Sequence, residues 1–187
     1  GVRRPVEPGV VPVRRLPLFQ LLAGAGIVLV GALSFLGVFT ASAVLPMLIG
    51  AAFLPAVLAV VTRGRRPPHL GLSTVVSLGV LVVYLAVTVF RSSSIGGVLP
   101  TGGTFSGIVD GLRNGWREIL SASVPSPARP NAVFVPVAAT WIASFVTAEL
   151  ICRTRRVFLV ALPALAVGVL GALFSDPGSG TALGPMT

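Results

Sequence analysis

Apolar positions fill this chain in long unbroken runs, and charges fall almost only between them. No charged residue occurs from Leu16 to Thr62. One helix needs about 20 apolar residues to cross a bilayer, so that run predicts two crossings. The polar spot Thr40-Ala41-Ser42 marks the break, with Ser42 placed to cap the second helix. The pattern therefore predicts spans over 17–39 and 43–61, Pro46 sitting in the first turn of the second and Pro55 kinking it. A third uncharged span, 70–90, follows the short basic turn Thr62–Pro68. A fourth covers 132–152, with Pro136 in its first turns, and a fifth, the shortest, covers 157–174 before Asp176 and Pro177 close it. Ahead of them all, 1–15 carries Pro5, Pro8 and Pro12 among its charges and reads as an extended tail.

The connection 91–131 has a different texture. It opens on serines, glycines and Pro100, which predict loop, and then turns periodic. Phe105, Ile108, Val109, Leu112, Trp116, Ile119 and Leu120 recur at spacings of three and four, with Ser106, Asp110, Arg113, Asn114 and Arg117 on the other side. That spacing predicts an amphipathic helix over 105–120, capped by Thr104 and ended by Pro125, Pro127 and Pro130. Its apolar stripe needs a home, either in the headgroup layer or against the bundle, and the same stripe is a candidate surface for a protein partner.

Composition turns this pattern into a fold class. Hydrophobic residues make up 54% and charged residues 10%, and the mean hydropathy is +0.96. A water-soluble domain needs a far more charged surface. The expectation is an all-α polytopic transmembrane helical bundle of about five spans, plus one extracytoplasmic amphipathic helix. The net charge of +9 comes entirely from arginine. Arg3, Arg4, Arg14 and Arg15, then Arg63, Arg65 and Arg66, then Arg153, Arg155 and Arg156 each abut an apolar run. With the N-terminus in the cytoplasm all three clusters fall inside, leaving Arg91, Arg113, Arg117 and Arg129 outside. The clusters thus face anionic lipid headgroups, and nucleic acid is excluded as a partner. The tail 175–187 is expected outside the cell, and both ends read as cut from a longer protein.

Candidate chemistry is sparse. Glu149 is the one acidic residue within an expected span, and Arg153 stands four residues on, so the pair reads as a structural ion pair rather than a proton relay. Thr140, Ser144 and Ala148 form a ridge of small residues on the fourth span, and Ala164, Gly168 and Ala172 form another on the fifth. Such ridges let helices approach closely in lipid, so the two spans are expected to pair antiparallel, with a homodimer face as the alternative use. No catalytic constellation is present: His69 and Cys152 have no carboxylate pattern joining them. Metal ligands are too few, a P-loop is impossible without lysine, and Gly24 and Gly26 lead to Leu29 where a dinucleotide fingerprint needs glycine. No cofactor is expected.

Leu99-Pro100-Thr101, Gly111-Leu112-Arg113-Asn114-Gly115-Trp116-Arg117-Glu118-Ile119-Leu120, and Val124-Pro125-Ser126-Pro127 with Pro130 form one informative stretch. Thr140-Trp141, Ala148-Glu149-Leu150 and Arg153-Thr154-Arg155 form a second. From about Val98 to Phe174 the chain resembles the N-terminal membrane region of actinobacterial transglutaminase-like membrane proteins. That resemblance implies membrane helices preceding an extracytoplasmic transglutaminase-like domain with a Cys, His, Asp triad, and a further helix after it. No triad residue matches a position here, so the implied catalysis belongs to sequence outside this chain. The leading expectation is a membrane anchor that positions that domain at the cell envelope. Two readings stand beside it: part of a transporter or permease, and a non-enzymatic membrane assembly subunit.

Overall fold

Every regular element among the described residues is helical. The computed structural model describes residues 18–37, 39, 41–62, 70–91, 101–121, 130–154 and 157–174; the side chains of 41–43, 70, 116, 118–121 and 157 fall outside that description. The elements are α1 (Leu18–Ala32), continued by a 3-10 segment Leu33–Gly37, then α2 (Ala41–Thr62), α3 (Leu70–Thr88), α4 (Gly102–Ser121), α5 (Pro130–Arg153) and α6 (Val157–Phe174). Four helical stretches are long and apolar enough to cross a membrane: Leu18–Gly37, Val44–Thr62, Gly71–Thr88 and Pro130–Arg153. Helix α6 is equally apolar but shorter. The chain is an all-α bundle, and its composition makes it a membrane protein.

Local chemistry explains where the helices start and stop. Helix α2 begins at Ala41, which puts Ser42 inside the helix instead of at the capping position. Helix α4 begins at Gly102, three residues ahead of the expected start. Thr101 is therefore the residue that precedes the helix, and Thr104 serves it from the third helical position. The Thr101 amide donates to Thr104 Oγ1 at 3.2 Å, and the Thr101 carbonyl takes the first helical bond, from Phe105 N at 3.1 Å. This is the backward half of a capping box. Helix α3 closes by a widened turn, the amides of both Val89 and Phe90 donating to the Leu85 carbonyl at 2.9 Å. Pro130 opens α5, where the missing N–H costs nothing.

Helix α5 is the hub and packs against every other helix. Around its first half sits the larger apolar cluster, built on Val28, Phe35, Val44, Leu48, Leu85 and Val137. Around its second half sits a smaller one of Leu21, Ala25, Ala56, Ala59, Ala148 and Ile151. Helix α1 comes close to α6 at Gly31, where a Cβ would lie 2.5 Å from the Ala164 carbonyl oxygen and 3.4 Å from Gly168 N. Only a residue without a side chain permits that approach.

The two small-residue ridges do not meet each other. Ala164 and Gly168 turn to Gly31 of α1, and Gly171, packed on Ser34, takes the place expected of Ala172, which is exposed. Ser144 and Ala148 turn instead to α2 and α1. Helices α5 and α6 do lie side by side, yet between Ile142, Val146, Leu162 and Leu170 they leave an apolar groove of about 470 Å³. The cause is rotational: a small residue can serve any neighbour its helix happens to face, and here α1 fills the inner side of both.

Candidate functional site

Most of the buried polar side chains among the described residues lie on α5. At its last turns Glu149 is buried and accepts from Ser73 Oγ at 2.6 Å and from Arg153 Nε at 2.5 Å. The Arg153 side chain is 41% exposed, so one end of the ion pair reaches the surface. Burial of a carboxylate is tolerable only with such partners. Two turns earlier Trp141, fully buried, donates from Nε1 to Ser77 Oγ at 3.2 Å and lies against the Tyr84 ring, centroids 5.3 Å apart. Tyr84 in turn donates its hydroxyl to the Met47 carbonyl at 2.7 Å, in the space Gly50 leaves open. Ser73, Ser77 and Tyr84 lie along one side of α3, so they tie that helix to α5 and α2.

A second set of bonds answers the prolines. Pro55 and Pro163 each lack an N–H, so the carbonyl four residues back loses its donor and the turn opens. In both helices the next carbonyl along is met by a hydroxyl from α5. Ser144 Oγ donates to the Ala52 carbonyl, and Thr147 Oγ1 reaches the Val160 carbonyl at 3.5 Å, the long limit of a hydrogen bond. Within α5 itself, Thr140 Oγ1 donates to the Pro136 carbonyl at 2.7 Å. That last bond is ordinary back-bonding within one turn, whereas the hydroxyls that Ser144 and Thr147 bring to the opened turns of α2 and α6 are how hydrocarbon accommodates a helix-breaking proline.

At the opposite end α4 is clamped to α5. Asp110 accepts from Asn114 Nδ2 and, across the helices, from Asn131 Nδ2, both at 2.6 Å. Gly107, Gly111 and Gly115 form the contact face: a Cβ there would lie 2.7 Å from Phe90, 2.8 Å from Phe134 and 2.7 Å from the Asn131 carbonyl. Of the described part of the apolar stripe, one residue packs on the larger cluster and the rest is turned outward. Phe105, Val109 and Leu112 are exposed and Ile108 is half-buried. The surroundings of Trp116, Ile119 and Leu120 lie outside the described residues, as does His69.

Residues separated in sequence are thus brought together at Glu149–Ser73 and at Asp110–Asn131. Glu149 and Arg153 had a local signal in their spacing. Ser73, Ser77 and Asn131 had none, since a lone serine or asparagine beside an apolar run names no partner. The glycine face of α4 did have one: three glycines four apart on the side away from the apolar stripe. Chemically the arrangement binds helices to one another. Cys152 is free and half-buried. Among the described residues no three metal-ligating side chains come together. Compared with protein-family models, curated proteins and solved structures, the chain matches none.

Proposed function

We propose that this chain is a membrane-embedded scaffold: the anchor domain of a transglutaminase-like membrane protein, holding an extracytoplasmic domain at the bacterial cell envelope. The observation that carries the scaffold reading is how the buried hydroxyls of α5 are used. Thr140, Ser144 and Thr147 are turned to backbone carbonyls, and Glu149 is held by Ser73 and Arg153. A conduction path needs polar groups directed to a lumen; these are taken up by bonds within α5 and to neighbouring helices. The resemblance over Val98 to Phe174 narrows the scaffold to the transglutaminase-like family, and the wider reading does not depend on it.

In this reading the N-terminus is cytoplasmic and the arginine clusters rest on anionic headgroups of the inner leaflet. Two experiments test it. The family assignment expects the full reading frame to encode, after this chain, a domain with a Cys, His, Asp triad; a frame without one removes the assignment. Proteoliposomes holding the purified chain are expected to show no solute flux. Flux that disappears in Glu149→Gln would replace the scaffold with a permease.

A further inference from the structure

Helix α4 carries three faces, not two. Successive residues of an α-helix are about 100° apart. Thr104, Gly107, Gly111 and Gly115 fall on one side, and the glycines among them meet Phe90, Phe134 and α5 while Thr104 is fully buried. Phe105, Val109 and Leu112 lie about a third of a turn round from them, and they are 53%, 46% and 66% exposed. Ser106, Arg113 and Arg117, all exposed, make up the third face together with the Asp110–Asn114 pair.

The rotation of α4 is set by two independent ties. Rolling the apolar face inward would pull Asp110 off Asn131 and withdraw the glycines from Phe90 and Phe134. The apolar face therefore needs an apolar medium outside the bundle. Its neighbours say which. Val83 and Val87 are exposed on the last turns of α3, and Phe90, just beyond them, seats against Gly107. In a membrane those α3 side chains meet hydrocarbon, and the Phe90–Gly107 contact seats α4 at that end of α3, where the same medium is offered to its exposed apolar face.

The geometry points to α4 as an interfacial helix whose Phe105, Val109 and Leu112 face is docked into the phospholipid acyl chains of the leaflet at the end of the bundle where α5 begins. Lipid occupies this face, and the polar face looks to water and headgroups. The inference rests on the membrane reading of the spans.

The full chain with Cys152→Ser receives single cysteines at Leu112, Ser106 and Ile142, the last exposed in the middle of α5. Each is labelled with a small fluorophore in phosphatidylcholine vesicles. Labels at Leu112 and Ile142 are expected to be quenched several-fold more by acyl-brominated lipid than by aqueous iodide, and the label at Ser106 the reverse. Iodide quenching at Leu112 equal to that at Ser106, with Ile142 still quenched by lipid, overturns this inference and leaves the membrane reading standing. Iodide quenching at Ile142 as well overturns both. In cells, a photo-crosslinker at Leu112 is expected to give lipid adducts; a discrete protein adduct in their place overturns the choice of occupant.

Discussion

Helices α5 and α3 reverse the rule that holds in water. Of the four helices able to cross a membrane, α5 is the least hydropathic, yet 61% of its apolar window is buried in the bundle, against 28% for the more hydropathic α3. In water the more apolar helix would go inside. In hydrocarbon the surroundings are as apolar as leucine, so nothing drives α3 inward. What gains from the interior is a helix with hydrogen bonds to make and small residues that allow close approach. Helix α5 has Thr140, Trp141, Ser144, Thr147 and Glu149, whose partners lie on other helices, on its own backbone or, for Glu149, also at Arg153 one turn on. Helix α3 turns Ser73, Ser77 and Tyr84 to the bundle while Leu72, Val75, Leu78 and Val83 face out.

The sharpest way to break this contrast is at its centre. Trp141→Ala removes the buried ring between the two helices and is expected to destabilise the bundle by about 3–5 kcal/mol, read from reversible unfolding in bicelles. A loss below about 1 kcal/mol would mean that α3 is not held through Trp141. Overpacking comes next. Gly111→Leu places a side chain where Phe134 and α5 already sit and is expected to cost about 1–3 kcal/mol, and to free α4 to faster proteolysis. Unchanged proteolysis would deny that the glycine face is the contact.

Smaller still is the polar seam. Ser144→Ala and Ser73→Ala are each expected to cost about 0.6–1.7 kcal/mol, the range of interhelical hydrogen bonds in membranes. A double-mutant cycle of Ser73→Ala with Glu149→Ala should show most of the Ser73 effect as coupling. Additive losses would mean the pair does not interact. The least effect belongs to the outer side of α3: Leu78→Ala is expected to change stability by less than about 0.5 kcal/mol in lipid, because the side chain meets hydrocarbon whether or not the helices are packed. A loss as large as that of Ser144→Ala would show that α3 has a partner on its outer face.

Helical content and the approximate limits of the apolar helices were readable from the chain, because both depend on sums over neighbouring residues. The break near Thr40, the pair Glu149 and Arg153 four apart, and the amphipathic period of α4 are all local signals. Capping was legible only to within a turn: Thr104 carries the side chain of the motif, but Thr101 is the residue it caps, since helical dihedrals extend over Gly102 and Gly103. The small residues were visible as ridges, and their partners were not.

By itself, then, the sequence determined which segments are long, helical and apolar and where their polar and small residues lie. Tertiary structure alone decided which face meets which helix. It turned Ala164 and Gly168 to Gly31 and Ser144 to Ala52, and it put the glycines of α4 against α5 and Phe90 while Phe105, Val109 and Leu112 face outward. The physical reason is that lipid accepts every apolar face equally. The rotation of each helix is set by a few close approaches and hydrogen bonds between residues far apart in the chain, and no local pattern encodes those.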